Sequence, residues 1–402
     1  MRAVPVSDGI WWVGAIDWDL RDFHGYETPR GTTYNAYLVR GAKTALVDTV
    51  KAPFVPELLS RVRELIDPSE IDYIVVNHVE PDHNGGLPEV IAACPNAKVV
   101  ASKSGVGGVA EYHDGLAVGE VGAEDVIDLG GKTLHFLPVP MVHWPDSMFT
   151  FCPEVCTLMP NDAFGQHLAS SQRFAGEVGL PLALEQLGIY YANILMPLGK
   201  QVSRAVEKVV EAGWECKTMA PSHGVIWREP EIPTLLETYR RWTSAETEAR
   251  VTLAYGTMWG STRMLAQAVA DGISAEGVPV RVFDLADSLI ADVTYDLLEA
   301  RAFVLGTSTL HHGMLYRVAG YLQWLEGLKP PGKLSAVFGS FGWGGGAAKA
   351  ARERLEAIGF TTVAEPYQEK FRPTAAQMAE ASDWGRAIAR AVKEPPASAE
   401  EA

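Results

Sequence analysis

Short apolar runs recur along the chain, each ended by Gly, Pro, Asn or Asp, and their rhythm changes once, near Ala249. Before that point strands dominate. Residues 10–15, 33–39 and 44–48 read as strands, and residues 53–66 carry helical spacing that stops before Pro68. The continuous run Tyr73-Ile74-Val75-Val76 reads as a buried strand. A short helix over 87–93 and a strand over 98–101 follow. From Asp125 the pattern returns to β, with strands at 126–129, 133–137, 148–151 and 156–159. A helical region then runs from Pro181 to Gly213, broken near Pro197. Strands with intervening helices favour stacked sheets flanked by helices over a single doubly wound sheet.

After Ala249 strand and helix alternate. Residues 250–255 form a strand, Gly256-Thr257-Met258-Trp259-Gly260-Ser261-Thr262 a hydroxyl-rich loop, and 264–276 an amphipathic helix. Strands over 278–283, 302–306 and 334–339 follow, with another near 361–363. Helices over 294–300 and 316–326 and a last helix lie between and after them. Polar or glycine-rich loops follow the first, third and fourth strands, as in a doubly wound sheet whose ligand sits beyond the C-terminal strand ends. A domain boundary at 248/249 follows, giving domains at 1–248 and 249–395. The composition of 396–402 reads as a disordered tail.

Composition narrows the class. At 402 residues, with 47% hydrophobic and 21% charged positions, two soluble domains are expected. A formal net charge of −16 argues against a nucleic-acid surface and against an anionic membrane face. No apolar run is long enough to span a membrane, and residues 1–8 lack a signal-peptide core. Cys94, Cys152, Cys156 and Cys216 form no disulfide framework. Cys152 and Cys156 are expected as buried strand residues in a reducing cytoplasm.

The chemistry concentrates in His78-Val79-Glu80-Pro81-Asp82-His83, directly after the apolar strand. Mixed imidazole and carboxylate donors suit a first-row transition metal; the bland reading is a solvated acidic loop. His143, Asp162 and His223 each follow an apolar strand in the same way. Any one alone reads as a structural residue. Together with the first cluster they make seven donors, too many for one ion and suited to two, with a carboxylate such as Asp162 able to bridge. The loop 257–262 has the form of a phosphate cradle at a helix N-terminus. It lacks Gly-Lys-Ser/Thr and G-x-G-x-x-G, so neither a P-loop NTPase nor a dinucleotide fold is indicated.

These residues resemble a known family. H-x-E-x-D-H, His143-Trp144-Pro145-Asp146-Ser147-Met148, Asn161-Asp162-Ala163-Phe164-Gly165 and Pro221-Ser222-His223-Gly224 are similar to the motifs of flavodiiron proteins, whose N-terminal domain is a metallo-β-lactamase-like αββα sandwich. The region after 249 resembles flavodoxin. The resemblance implies two non-haem iron ions per chain: one held by His78, Glu80 and His143, the other by Asp82, His83 and His223, with Asp162 between them. Glu80 stands where hydrolytic relatives carry His, and its negative charge stabilises ferric iron. His24 and Tyr190 are implied as groups beside the bound substrate, and His167 as structural support. FMN is implied in the second domain. Thr257, Met258, Trp259, Gly260, Ser261 and Thr262 would hold its phosphate. Ser308, Thr309, Leu310 and His311, with Ser340, Phe341, Gly342, Trp343 and Gly344, would flank its ring. Residues 308–312 lack the Asn expected there.

The implied activity is reduction of dioxygen to water, of nitric oxide to nitrous oxide, or both. Electrons would come from rubredoxin, another redox protein or a reduced deazaflavin. A head-to-tail homodimer or a dimer of dimers is also implied, and the absence of an appended rubredoxin module matches the two-domain class. A zinc hydrolase fused to flavodoxin is the hydrolytic alternative. An electron carrier or redox sensor with a structural metal is the non-enzymatic one.

Overall fold

In the computed structural model, residues 2–394 are described; the tail expected at 396–402 lies outside them. The chain divides into two compact units, residues 1–243 and residues from Ser244 onward. The division falls between helix Ile232–Thr243 and strand Glu248–Gly256, and the expected boundary at 248/249 lies at the start of that strand.

The first unit stacks two sheets. One has seven strands in the order Val4–Ser7, Ile10–Trp12, Tyr37–Arg40, Thr44–Val47, Tyr73–Val76, Lys98–Ala101 and Val118–Glu120. The other has six: Val126–Asp128, Thr133–Pro138, Met148–Cys152, Thr157–Met159, Thr218–Met219 and Trp227–Arg228. Strand alternation divides the apolar residues cleanly. Tyr37, Val39, Ala45, Val47 and Val75 face Leu134, Phe136, Met148 and Met159 of the other sheet. Leu38, Leu46, Ile74 and Val76 point the opposite way, onto Val55, Leu58 and Val62 of helix Val55–Val62 and onto Leu87 and Val90 of helix Leu87–Ala93. Both faces of that sheet are therefore covered. Each such Leu or Val contributes on the order of 1.5–3 kcal/mol by leaving water.

Three details depart from the sequence reading. The strand expected over 33–39 is broken into Thr32–Tyr34 and Tyr37–Arg40. Asn35 leaves the ladder: its N–H donates to Ser222 O at 2.8 Å, and its Oδ1 accepts from Trp12 Nε1 at 2.7 Å. The strand over 10–15 likewise splits into Ile10–Trp12 and Ala15–Asp17. Cys152 is a buried strand residue as expected, but Cys156 is not. It closes the turn Pro153–Val155 in a left-handed conformation (φ +49°) and is half-buried.

The second unit is a parallel sheet in the order Val280–Asp284, Glu248–Gly256, Ala300–Leu310, Leu334–Phe341, with Thr361–Thr362 and Tyr367–Lys370 both paired to the last. This is the flavodoxin-type order, whose loops after adjacent central strands open a crevice at the carboxyl ends. On one face helix Ser261–Ala275 packs closely on helix Ala375–Lys393. A methyl group on Gly272 would lie 1.9 Å from Ser382 O, and one on Gly385 would lie 2.3 Å from Val269 O. Only glycine permits that approach.

Candidate functional site

The loops after the strands of the first unit bring the seven expected donors together. Strand Tyr73–Val76 ends at Asn77, whose N–H donates to Asp48 Oδ1 at 2.7 Å. His78 and Glu80 follow, and Pro81 starts a single turn of helix that carries Asp82 and His83 inward. His143 comes from the loop after strand Thr133–Pro138, Asp162 from the end of Thr157–Met159, and His223 from the turn after Thr218–Met219. All seven side chains are buried. Their donor atoms form two groups, each within 4.8 Å: His78, Glu80, His143 and Asp162 in one, and Asp82, His83 and His223 in the other.

Asp162 faces both groups. Its Oδ2 lies 2.9 Å from His143 Nε2 and 3.5 Å from His78 Nε2. Its Oδ1 lies 3.1 Å from His83 Nε2 and 3.5 Å from His223 Nε2. Glu80 Oε2 is 3.2 Å from both His78 Nε2 and His143 Nε2.

Other residues aim the ligands. Asp146 Oδ2 accepts from Val79 N at 2.8 Å and lies 3.0 Å from His78 Nδ1. This pairing turns Nε2 of His78 toward the centre, as second-sphere carboxylates do for metal-binding histidines. Ser102 Oγ in turn donates to the Asp146 carbonyl at 2.6 Å. His223 Nδ1 donates to Thr33 O at 2.7 Å, and Gly224 N donates to Thr33 Oγ1 at 2.7 Å. Asn35 Nδ2 donates to Pro221 O at 2.7 Å, so the broken strand 32–36 clamps the His223 turn. Sequence reading gave Asp146, Thr33 and Asn35 no role. The available signals were a carboxylate inside a ligand-bearing segment and a polar residue inside an apolar strand run.

The electrostatics are those of a site built for cations. Burial alone would lower the histidine pKa values, yet His78 and His143 are pushed up to about 10 and His83 up to about 9 by the facing carboxylates. Burial raises Asp82, Asp162 and Glu80, but the surrounding imidazoles override it and hold all three below the usual carboxylate range. Several polar atoms are buried without a hydrogen-bond partner among the described residues: both Asp82 oxygens, both His83 ring nitrogens and Asp162 Oδ1. Ion-pair distances to Asp82 and His83 are present, such as 3.1 Å from His223 Nε2 to Asp82 Oδ2, without hydrogen-bond alignment. Buried donors left in this state call for cations between them.

His24 and Tyr190 both border the centre. His24 Nε2 lies 2.5 Å from Glu80 Oε1, and its side chain is 40% exposed, so it links that ligand to solvent. Tyr190 ends helix Leu180–Tyr190, with its ring 5.0 Å from His167 and 6.0 Å from His223. Its hydroxyl is buried without a partner among the described residues. Burial and then Asp162 push that phenol well up, so it stays protonated. His167 lies outside both donor groups, with Nδ1 2.9 Å from Thr32 Oγ1. Burial, then His223, keeps its ring neutral.

The second unit has a cavity of about 1100 Å³ at the carboxyl ends of its strands. Residues 258–261, 308–312, 340–344 and 371–372 line it, with Arg263 and Met264. Trp259 and Trp343 at its mouth are 92% and 89% exposed, an unusual state for large aromatics in a chain with well-filled cores. Thr257 and Thr262 depart from their expected place in the lining. Thr257 Oγ1 accepts from Gly260 N at 3.1 Å and shapes the loop. Thr262 is fully buried, with Oγ1 2.7 Å from Ser308 Oγ and 2.8 Å from Ser340 Oγ, so it ties the three cavity loops together.

Two family models match the chain: an ODP family beta lactamase over residues 32–224 and a flavodoxin over 253–385. A nitric oxide reductase of Moorella thermoacetica is 42% identical over 371 residues, covering 91% of this chain and 92% of that one. The solved flavodiiron protein of Giardia intestinalis superposes with a TM-score of 0.94 at 31% identity, covering 98% of this chain and 97% of the other. The chain belongs to the flavodiiron family. The solved rubredoxin oxygen:oxidoreductase of Desulfovibrio gigas superposes with a TM-score of 0.94 at 37% identity, covering 98% of this chain and 99% of the other. Like these flavodiiron relatives the protein is an oxidoreductase, with FMN and a non-haem diiron pair as its cofactors. The residues fit both groups. Orphaned buried donors in two triads sharing one carboxylate suit two cations, and exposed tryptophans at the mouth of a strand-end crevice suit a planar ring. Among the described residues no helix is long and apolar enough to cross a membrane.

Proposed function

We propose that this chain reduces dioxygen to water, or nitric oxide to nitrous oxide, at a site where His78, Glu80 and His143 would hold one iron and Asp82, His83 and His223 the other, with Asp162 placed to serve both. The observation that carries the reading is Asp162, whose two oxygens face different ligand groups. When bound, the iron pair supplies a two-metal binding place for the gas and the flavin supplies electrons to it.

The chain's own residues do the rest. Asp146 and Thr33 fix the rings of His78 and His223 from behind, so both present Nε2 inward. Glu80 adds negative charge where a histidine would be neutral, which favours the more oxidised metal and disfavours the hydrolytic zinc alternative. Protons are needed in either reaction: four, with four electrons, for dioxygen, and two, with two electrons, for a pair of nitric oxide molecules. His24, bonded to Glu80 and reaching solvent, supports the reading that it delivers them. The Tyr190 hydroxyl is a neutral buried donor beside the centre, fitted to hydrogen-bond a bound gas. In the second unit the loop 257–262 would hold the FMN phosphate, and 308–311 with 340–344 the ring.

We place the protein in a reducing cytoplasm, a reading supported by its four free cysteines. We also propose a head-to-tail dimer or dimer of dimers that sets one subunit's flavin beside another's irons. Exposed apolar residues at both sites support it: Trp259, Trp343 and Phe371 by the cavity, and Met141 two residues from His143. The external donor is rubredoxin, another redox protein or a reduced deazaflavin.

The test is anaerobic stopped-flow of reduced protein with iron and FMN quantified, mixed separately with dioxygen and with nitric oxide. Rapid flavin reoxidation by either gas supports the reading, and the faster gas identifies the substrate. Reaction with neither, at about two irons per chain, overturns it in favour of an electron carrier or sensor.

A further inference from the structure

The charge balance of the chain is reversed around the flavin cavity. The chain carries a formal net charge of −16, yet the charged residues lining the cavity are Arg263 and Arg372, with no Asp or Glu among the lining residues. Arg263 is already engaged: its guanidinium donates to Asp284 Oδ2 at 2.8 Å and to Tyr255 Oη at 3.1 Å. Arg372 is not. It is exposed, and it makes no hydrogen bond or ion pair with another described residue.

The backbone puts it there. Strand Tyr367–Lys370 pairs in parallel with Leu334–Phe341, and Phe371 N donates to Phe341 O at 2.7 Å. Phe371 then turns through a left-handed conformation (φ +59°), with its ring against Gly342. Arg372 follows and lines the cavity together with Gly342-Trp343-Gly344, with no ion pair to a carboxylate among the described residues.

An unpaired cation in a cavity without carboxylates acts on whatever charge forms inside. Two-electron reduction of a flavin with uptake of one proton leaves one more negative charge on the ring than the oxidised form carries. The FMN phosphate bears the same charge in both states. A cation serving the phosphate therefore changes affinity and leaves the potential alone, whereas a cation serving the ring changes the potential.

Resting on the reading of this cavity as the FMN site, we propose that Arg372 sets the flavin's reduction potential by stabilising the anionic reduced ring over the oxidised one. It is a tuning residue, not an anchor.

The test uses full-length protein loaded with iron and FMN. Flavin potentials are measured by equilibrium titration against reference dyes for wild type, Arg372→Gln and Arg372→Lys, with the affinity for oxidised FMN measured alongside. Arg372→Gln should lower the preference for the reduced anion about tenfold, a drop of about 30 mV for a two-electron couple. Its affinity for oxidised FMN should stay within about twofold of wild type, and Arg372→Lys should restore most of the potential. Equal potentials in wild type and Arg372→Gln would overturn the proposal. So would an equal loss of affinity for both redox states, the mark of a phosphate anchor. A wild-type protein that binds no FMN would overturn the cavity reading and this proposal with it.

Discussion

Asp146 Oδ2 stands 3.0 Å from His78 Nδ1 and accepts from Val79 N at 2.8 Å, so one carboxylate oxygen fixes both a ligand ring and the backbone of its motif. His78 cannot turn without breaking the first contact, and the loop cannot shift without breaking the second. Replacing Asp146 by Asn leaves an oxygen that can accept from both groups but removes the negative charge that makes the bound imidazole a stronger ligand. The expected outcome is a 10–100-fold loss of iron affinity, on the order seen for outer-sphere partners of metal-binding histidines. Competition with a chelator, read as iron released at equilibrium, measures it. Unchanged affinity would mean that the Val79 contact alone holds the loop.

Asp162 calls for a more severe result. With both its oxygens gone in Asp162→Ala, each imidazole group loses its shared anion. Iron should fall from about two per chain to one or fewer. Dioxygen and nitric oxide consumption should disappear together, while the flavin, held in the other unit, should still be reducible. Retention of full iron with loss of activity would show instead that the carboxylate acts on the reaction and not on metal binding.

The seven donors were legible because each stands directly after an apolar strand, where chain direction alone sends a loop to one end of the sandwich. Their partners were less so. Thr33 and Asn35 sit within what reads as one strand, and only the hydrogen bonds of Asn35 to Trp12, Pro221 and Ser222 reveal the break. Helix Lys103–Tyr112 was missed for a different reason. Three glycines, Gly105, Gly107 and Gly108, give it poor intrinsic propensity. Packing explains at least one: a methyl group on Gly108 would lie 2.8 Å from Val79 Cγ2, inside the ligand motif. Tertiary contact overrides propensity there, and no local pattern records it. Arg372 drew no attention in the sequence because what marks it, exposure in the cavity lining without a hydrogen-bond or ion-pair partner among the described residues, is not visible there.

The helix pair of the flavin-binding unit offers a stability test. A methyl group on Gly272 would come 1.9 Å from Ser382 O, a backbone atom that cannot swing away. Gly272→Ala should therefore destabilise that unit by about 1–3 kcal/mol, even though alanine favours helices by up to about 1 kcal/mol. Urea unfolding followed by flavin release should show an earlier midpoint. A later midpoint would mean that the helices separate without cost.

Lys333 sets a pH dependence away from both sites. The residue is 2% exposed, and its Nζ donates to Leu298 O and Ala300 O at 2.8 Å each. Burial, with Arg250 adding to it, pushes its pKa down to about 7, although Glu299 opposes them. The unfolded chain keeps a lysine near 10.4. Between about pH 7 and 10.4 the unfolded state thus binds a proton that the native state lacks, and stability rises with pH by up to about 1.4 kcal/mol per unit. Below about pH 7 both states are protonated, so the penalty is complete and flat; above about 10.4 it is gone. Lys333→Met removes the titration while losing the two carbonyl contacts. Wild-type stability measured relative to Lys333→Met should therefore climb from pH 7 to pH 9 in parallel urea titrations. If the difference stays flat, the two carbonyls hold the ammonium charged inside the fold, and hydrogen bonding outweighs desolvation at this position.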